Sequence, residues 1–155
     1  MQVIMEENQA KAFTLISKYR FLLVFASVIL LGGCNENAVS PGIPNVPVNE
    51  QINVTSQQYS ELRYDGGYVY LNGGYKGILV VRQNASTYLA FEQACPYDPT
   101  DPCSKAEVDA SNLFIKDKCC GSQFNFSGQV MSGPAVYGLK QYATALSGSL
   151  LYITN

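Results

Sequence analysis

The 155-residue chain has no histidine and no tryptophan, and charged residues make up only 14% of it. The missing histidine removes the commonest general base and the commonest nitrogen metal ligand. Catalytic triads that need imidazole are excluded, and so are histidine-based metal centres. With 10 basic and 12 acidic residues, no basic stripe exists, and nucleic acid is not an expected partner. No Cys-X-X-Cys occurs either, which removes the usual signature of a thiol–disulfide oxidoreductase. No enzymatic role is expected.

The N-terminus reads as a targeting segment. Lys11, Lys18 and Arg20 precede an apolar run, Phe21 to Leu31 (FLLVFASVILL). That run suits a signal-peptide core and falls short of the ~20 residues of a spanning helix. Glu6 and Glu7 are unusual in such a leader. The run ends in Leu31-Gly32-Gly33-Cys34, which resembles the lipobox of bacterial lipoproteins. The resemblance implies a signal peptide over 1–33 and a lipid on Cys34. A second acyl chain makes such anchoring stable, at about 0.8 kcal/mol per buried methylene. The expected location is the bacterial cell envelope, on the periplasmic or outer-membrane side. The membrane is one partner, through the lipid, and an unidentified envelope protein is the other. From Cys34 onward, 7 basic and 10 acidic residues leave a net charge near −3.

Residues 34–50 read as a tether. Pro41, Pro44 and Pro47 recur every third residue, which favours extended polyproline II and excludes helix. The domain is expected over 51–155. Its segments are short and β-branched, with glycine-rich turns between them. Tyr68 to Leu71, Ile78 to Arg82, Tyr88 to Glu92 and Asn112 to Lys116 read as strands, and Phe124 and Phe126 share one face of another. Lys140 to Ala145 and Leu150 to Thr154 bracket Ser147-Gly148-Ser149 as a closing hairpin. A helical turn is expected around Ser104 to Ala110, where Ser104 precedes Glu107 by the capping-box interval. The class is all-β. The tyrosines, 11 in all, read as strand and core residues.

Four cysteines follow Cys34: Cys95, Cys103, Cys119 and Cys120. An exported domain with an even set predicts two disulfides. A vicinal Cys119–Cys120 bridge strains the backbone. The other two pairings both tie the Cys95–Cys103 loop to the Cys119–Cys120 loop, and the residues alone leave these two open. Adjacent cysteines are poorly spaced to hold one metal ion together. Asp98, Asp101, Glu107 and Asp109 follow no EF-hand spacing and read as a solvated loop.

The segment FEQACPYDP (91–99), then KDKCCGSQFNFSGQVMSGPA (116–135), then the closing hairpin, resembles the Rieske iron–sulfur family. That family has a first box, Cys-X-His, a second box, Cys-Pro-X-His-Gly-Ser-X-Phe/Tyr, and a Gly-Pro-Ala-like covering loop. The resemblance runs from about Ile52 to Asn155. It implies a Rieske-like fold of stacked antiparallel sheets with two cysteine loops at one tip. The four cluster-ligand positions fall on Cys95, Tyr97, Asp117 and Cys120. Family members hold a 2Fe–2S cluster with two thiolates and two imidazoles. This chain keeps one of those four residues, so no cofactor is expected. A 2Fe–2S cluster with altered ligands, serving electron transfer, is the alternative. The resemblance also assigns Cys103–Cys119 to the bridge found beside the cluster in some members. The remaining pair, Cys95–Cys120, is then expected to close across the vacated site.

Overall fold

The computed structural model describes residues 42–155. Expectations about the signal peptide, the lipid on Cys34 and the first part of the tether lie outside the described residues. Ten strands follow in order: β1 Asn49–Asn53, β2 Tyr68–Leu71, β3 Ile78–Asn84, β4 Thr87–Glu92, β5 Ala106–Val108, β6 Ile115–Asp117, β7 Gln123–Phe124, β8 Val130–Ser132, β9 Gln141–Ser147 and β10 Leu150–Thr154. A 3-10 helix, Gln57–Arg63, joins β1 to β2.

The strands form two antiparallel sheets. One has six strands in the order β1-β10-β9-β4-β3-β2, and the other has four, β5-β6-β7-β8. β3 is the hinge of the core because both of its faces are covered. Ile78 and Val80 enter one cluster with Leu62, Tyr88, Ala90, Tyr142, Leu151 and Ile153. Leu79 and Val81 enter the other with Phe91, Ile115 and Phe124. This second cluster lies between the two sheets and fastens the cysteine-bearing layer to the larger one. A continuous β-branched run is what a strand buried on both faces requires.

Three expectations are corrected. Ser104 to Ala110 is not helical. Ala106 N–H donates to the Gln93 carbonyl at 2.7 Å, and β5 pairs with β6 from Ala106 to Val108. The strand expected from Asn112 begins instead at Ile115, because Asn112 has φ +57° and Leu113 is 74% exposed. The tether's last part is not free of the core. Ile43 and Val48 are buried, and β1 starts at Asn49, before the expected domain boundary at 51. The Asn155 side chain secures this strap. Its Oδ1 accepts from Val48 N–H at 3.0 Å, and its Nδ2 donates to the Val46 carbonyl at 2.7 Å.

Candidate functional site

Three loops meet at one end of the domain. The first leaves β4 after Glu92 and returns at β5. It is closed at its base by the Gln93 side chain, whose Nε2 donates to the Ala106 carbonyl at 3.0 Å. Lys76 holds the loop from outside. Its Nζ donates to the Ser104 carbonyl at 2.8 Å and to the Asp101 carbonyl. Glu92, fully buried, anchors the neighbouring turn. Its carboxylate accepts from the backbone N–H of Tyr75 (2.6 Å), Lys76 (2.9 Å) and Ala94 (3.0 Å), and from the Tyr142 hydroxyl (2.7 Å). Burial and this contact with Glu92 push the Tyr142 hydroxyl pKa above its ordinary value.

The second loop is a tight turn built around Asp117. Asp117 Oδ1 accepts from Cys119 N–H at 2.7 Å and Cys120 N–H at 3.0 Å. Its backbone carbonyl accepts from Gly121 N–H at 2.9 Å, and Gly121 sits at φ +77°, where glycine is unstrained. Its other oxygen accepts from the Ser104 hydroxyl at 3.2 Å, across the gap to the first loop. Ser104 Oγ in turn accepts from Cys95 N–H at 3.3 Å. Thus Ser104, expected to cap a helix, links the two cysteine loops instead.

The third loop covers the site. Ala135 N–H donates to Ser122 Oγ at 3.1 Å, and that oxygen lies 3.0 Å from Cys120 Sγ. Gly133, at φ +95°, passes so close that a Cβ there would lie 2.5 Å from Ser122 Cα.

Among the sequence-predicted site residues, the structure gathers Cys95, Asp117 and Cys120, with their ligand-type atoms within 4.8 Å of one another. Tyr97 is 57% exposed. Cys103 and Cys119 form a disulfide with Cα atoms 5.6 Å apart. Cys95 and Cys120 face each other as thiols, with sulfurs 3.6 Å apart. Burial pushes the Cys95 thiol up to about 12, and the Cys120 thiol and Asp117 charge add to it against the Tyr97 backbone N–H. At neutral pH Cys95 is therefore a protonated thiol and a poor nucleophile.

Asp98, Asp101 and Asp109 cap turns. Asp98 accepts from the Thr100 hydroxyl and Asp101 N–H, and Asp101 accepts from Cys103 N–H. Asp109 accepts from Ser111 N–H, which lowers its pKa below the usual carboxylate value. Sequence reasoning missed Glu92 as a buried anchor. Its place in the alternation of β4 put it on the face of Tyr88 and Ala90, and its donors come from the backbone of Tyr75, Lys76 and Ala94 and from the Tyr142 hydroxyl, which only the fold brings to it.

Comparison with solved structures finds the crystal structure of the cyanobacterial plasma membrane Rieske protein PetC3 from Synechocystis PCC 6803. It is 25% identical, its match covers 67% of this chain and 99% of that one, and the TM-score is 0.52. The domain is Rieske-like. No family model matches this chain, and no curated protein matches it.

The Rieske-like fold implies a 2Fe–2S cluster, and the donor set does not fit one. A 2Fe–2S cluster takes four protein ligands, all thiolates in the ordinary type and two thiolates with two imidazoles in the Rieske type. Here Tyr97 faces solvent. Both oxygens of Asp117 are engaged by the loops they hold together. Two thiols and the Ser122 hydroxyl remain, which is short of the four protein donors that a 2Fe–2S cluster or a closed tetrahedral zinc site requires.

Proposed function

We propose that the chain is a lipid-anchored envelope lipoprotein whose degenerate Rieske-like domain works without a cluster, as a binding or structural module. The observation that carries this reading is the fate of the four ligand positions. Asp117 is spent on loop structure, Tyr97 is turned outward, and Cys95 and Cys120 stand sulfur to sulfur at 3.6 Å. On export this pair closes as a second staple. Each thiol loses one proton and one electron, the sulfurs bond at about 2.05 Å, and a disulfide oxidant of the envelope is reduced to its dithiol. Two such bridges stabilise a small domain by about 2–4 kcal/mol each. The leader sequence and Cys34 support the anchoring, and no helix among the described residues is long and apolar enough to cross a membrane.

The second reading is an electron-transfer protein with an altered 2Fe–2S cluster, favoured by the likeness to a Rieske protein. Iron and acid-labile sulfide, assayed on exported protein purified without oxygen, separate the two. Substoichiometric iron and no sulfide support the module. Two irons and two sulfides per chain would overturn it.

A further inference from the structure

The chain enters the domain at its cysteine end. Gly42 lies against the first cysteine loop, so that a Cβ on it would be 3.6 Å from Pro99 Cγ. From there the strap passes Lys140, whose Nζ donates to Asn45 Oδ1 at 3.1 Å, and reaches β1 at Asn49. Buried Ile43 and Val48 fix its path. The described chain therefore begins beside the tip. The opposite end is marked by Tyr64, next to the far end of β3, where Gly66 N–H donates to the Arg82 carbonyl.

The same tip carries an exposed apolar rim. Tyr97 follows Cys95 by two residues and is 57% exposed. Val136, 81% exposed, and Tyr137 follow Ala135, which is bonded to Ser122 beside Cys120. Met131, 58% exposed, precedes Ser132, which pairs with Gln123 just after the second cysteine loop. Lys105 and Lys118 on this end are offset by Asp98 and Glu107, the latter paired with Lys118 at 3.0 Å, so the rim has no strong charge of one sign.

We propose that this rim rests on the bilayer surface, so that the cysteine tip faces the membrane. The proposal rests on the lipid-anchor reading of Cys34. From Cys34 to Gly42 the chain advances by eight residues, a reach of at most about 28 Å when fully extended. A short tether attached at the tip holds that end nearest the lipid and leaves the Tyr64 end farthest from it. Tyrosine rings suit the headgroup level, with an apolar body and a polar hydroxyl. Val136 and Met131 add apolar area that water otherwise covers. The absence of a one-signed charge selects uncharged lipid contact rather than attraction to anionic headgroups.

The chain has no tryptophan, so a single introduced tryptophan reports its own surroundings. The full lipidated chain is reconstituted in phosphatidylcholine vesicles, with and without brominated acyl chains, carrying Val136→Trp or Tyr64→Trp. Both sites are exposed, and unchanged melting of the two variants confirms their folding. The expected result is flotation with vesicles, a blue shift and loss of most emission for V136W on bromination, and no change for Y64W. A chain that floats with equal emission from both variants overturns the tip orientation and leaves the anchor standing. A blue-shifted V136W that bromine does not quench also overturns it, and points to a protein or a second copy covering the rim. A chain that fails to float overturns the anchor reading and this proposal with it.

Discussion

The sulfur of Cys95 lies 3.6 Å from the sulfur of Cys120, between the two cysteine loops of the tip. Cys95 is buried, and Cys120 is half-buried against Ser122. Cys103 and Cys119, by contrast, are exposed. We predict that a mild reductant opens Cys103–Cys119 before Cys95–Cys120. Alkylation during graded reduction, followed by peptide mapping, checks this. Label appearing first on Cys95 would contradict the assigned burial.

Asp117 holds the second loop and links it to the first. Asp117→Ala removes the acceptor of two backbone N–H groups and of the Ser104 hydroxyl. Hydrogen bonds to a charged acceptor contribute about 1.5–3 kcal/mol each, with incomplete additivity. The expected loss is about 3 kcal/mol, measured by urea unfolding with both bridges intact. A loss below about 1 kcal/mol would mean that the carboxylate does not organise the loops.

The Cys95 thiol gives the unbridged form a pH signature. Its pKa is raised from the ordinary 9.0 to about 12 in the folded state, chiefly by burial. The folded chain thus keeps a proton that the unfolded chain releases. This contribution is complete below pH 9 and is lost as pH rises through about 12. Chemical unfolding of C120S, which cannot form the second bridge, should show stability falling from pH 9 upward. The bridged wild type lacks this contribution, and parallel pH profiles for the two forms would contradict it.

Asn155 makes three of the strap's side-chain hydrogen bonds. Asn155→Ala removes the bonds to Val48 N–H, the Val46 carbonyl and Asn45. Net losses near 1 kcal/mol per neutral bond predict a destabilisation of about 2 kcal/mol and protease cleavage within 42–48. Limited proteolysis with mass analysis checks it. A strap as resistant as in the wild type would show that Ile43 and Val48 alone retain it.

Much of the larger sheet was legible. ILVVR and the closing hairpin carry β-branched runs and glycine turns that leave little choice of structure. The cysteine loops were legible through order and motif, and Cys103–Cys119 forms as the resemblance implies. The smaller sheet was harder to read. Its strands have two or three residues each, too few for periodicity to speak. Ala106 and Glu107 have helical propensities, and Gln93 and Lys116 override them through strand pairing. The 3-10 helix went unread because Leu62 is the one fully buried anchor of its seven residues. Ile43 and Val48 were hidden among prolines, and the partner of the Val48 N–H, Asn155, is more than a hundred residues away. The sequence puts Asp117 in the second cysteine loop, but its role as an acceptor within that loop is a matter of geometry that spacing does not carry.

In the proposed cluster-free form, Cys95 and Cys120 close the tip of this Rieske-like domain as a disulfide. Native mass spectrometry of the exported chain, purified without oxygen, tests it most directly. The account predicts the mass of the lipidated polypeptide less the hydrogens of both disulfides, with no metal adduct. A mass raised by two irons and two sulfides, returning to that of the bare chain on acidification, would contradict it.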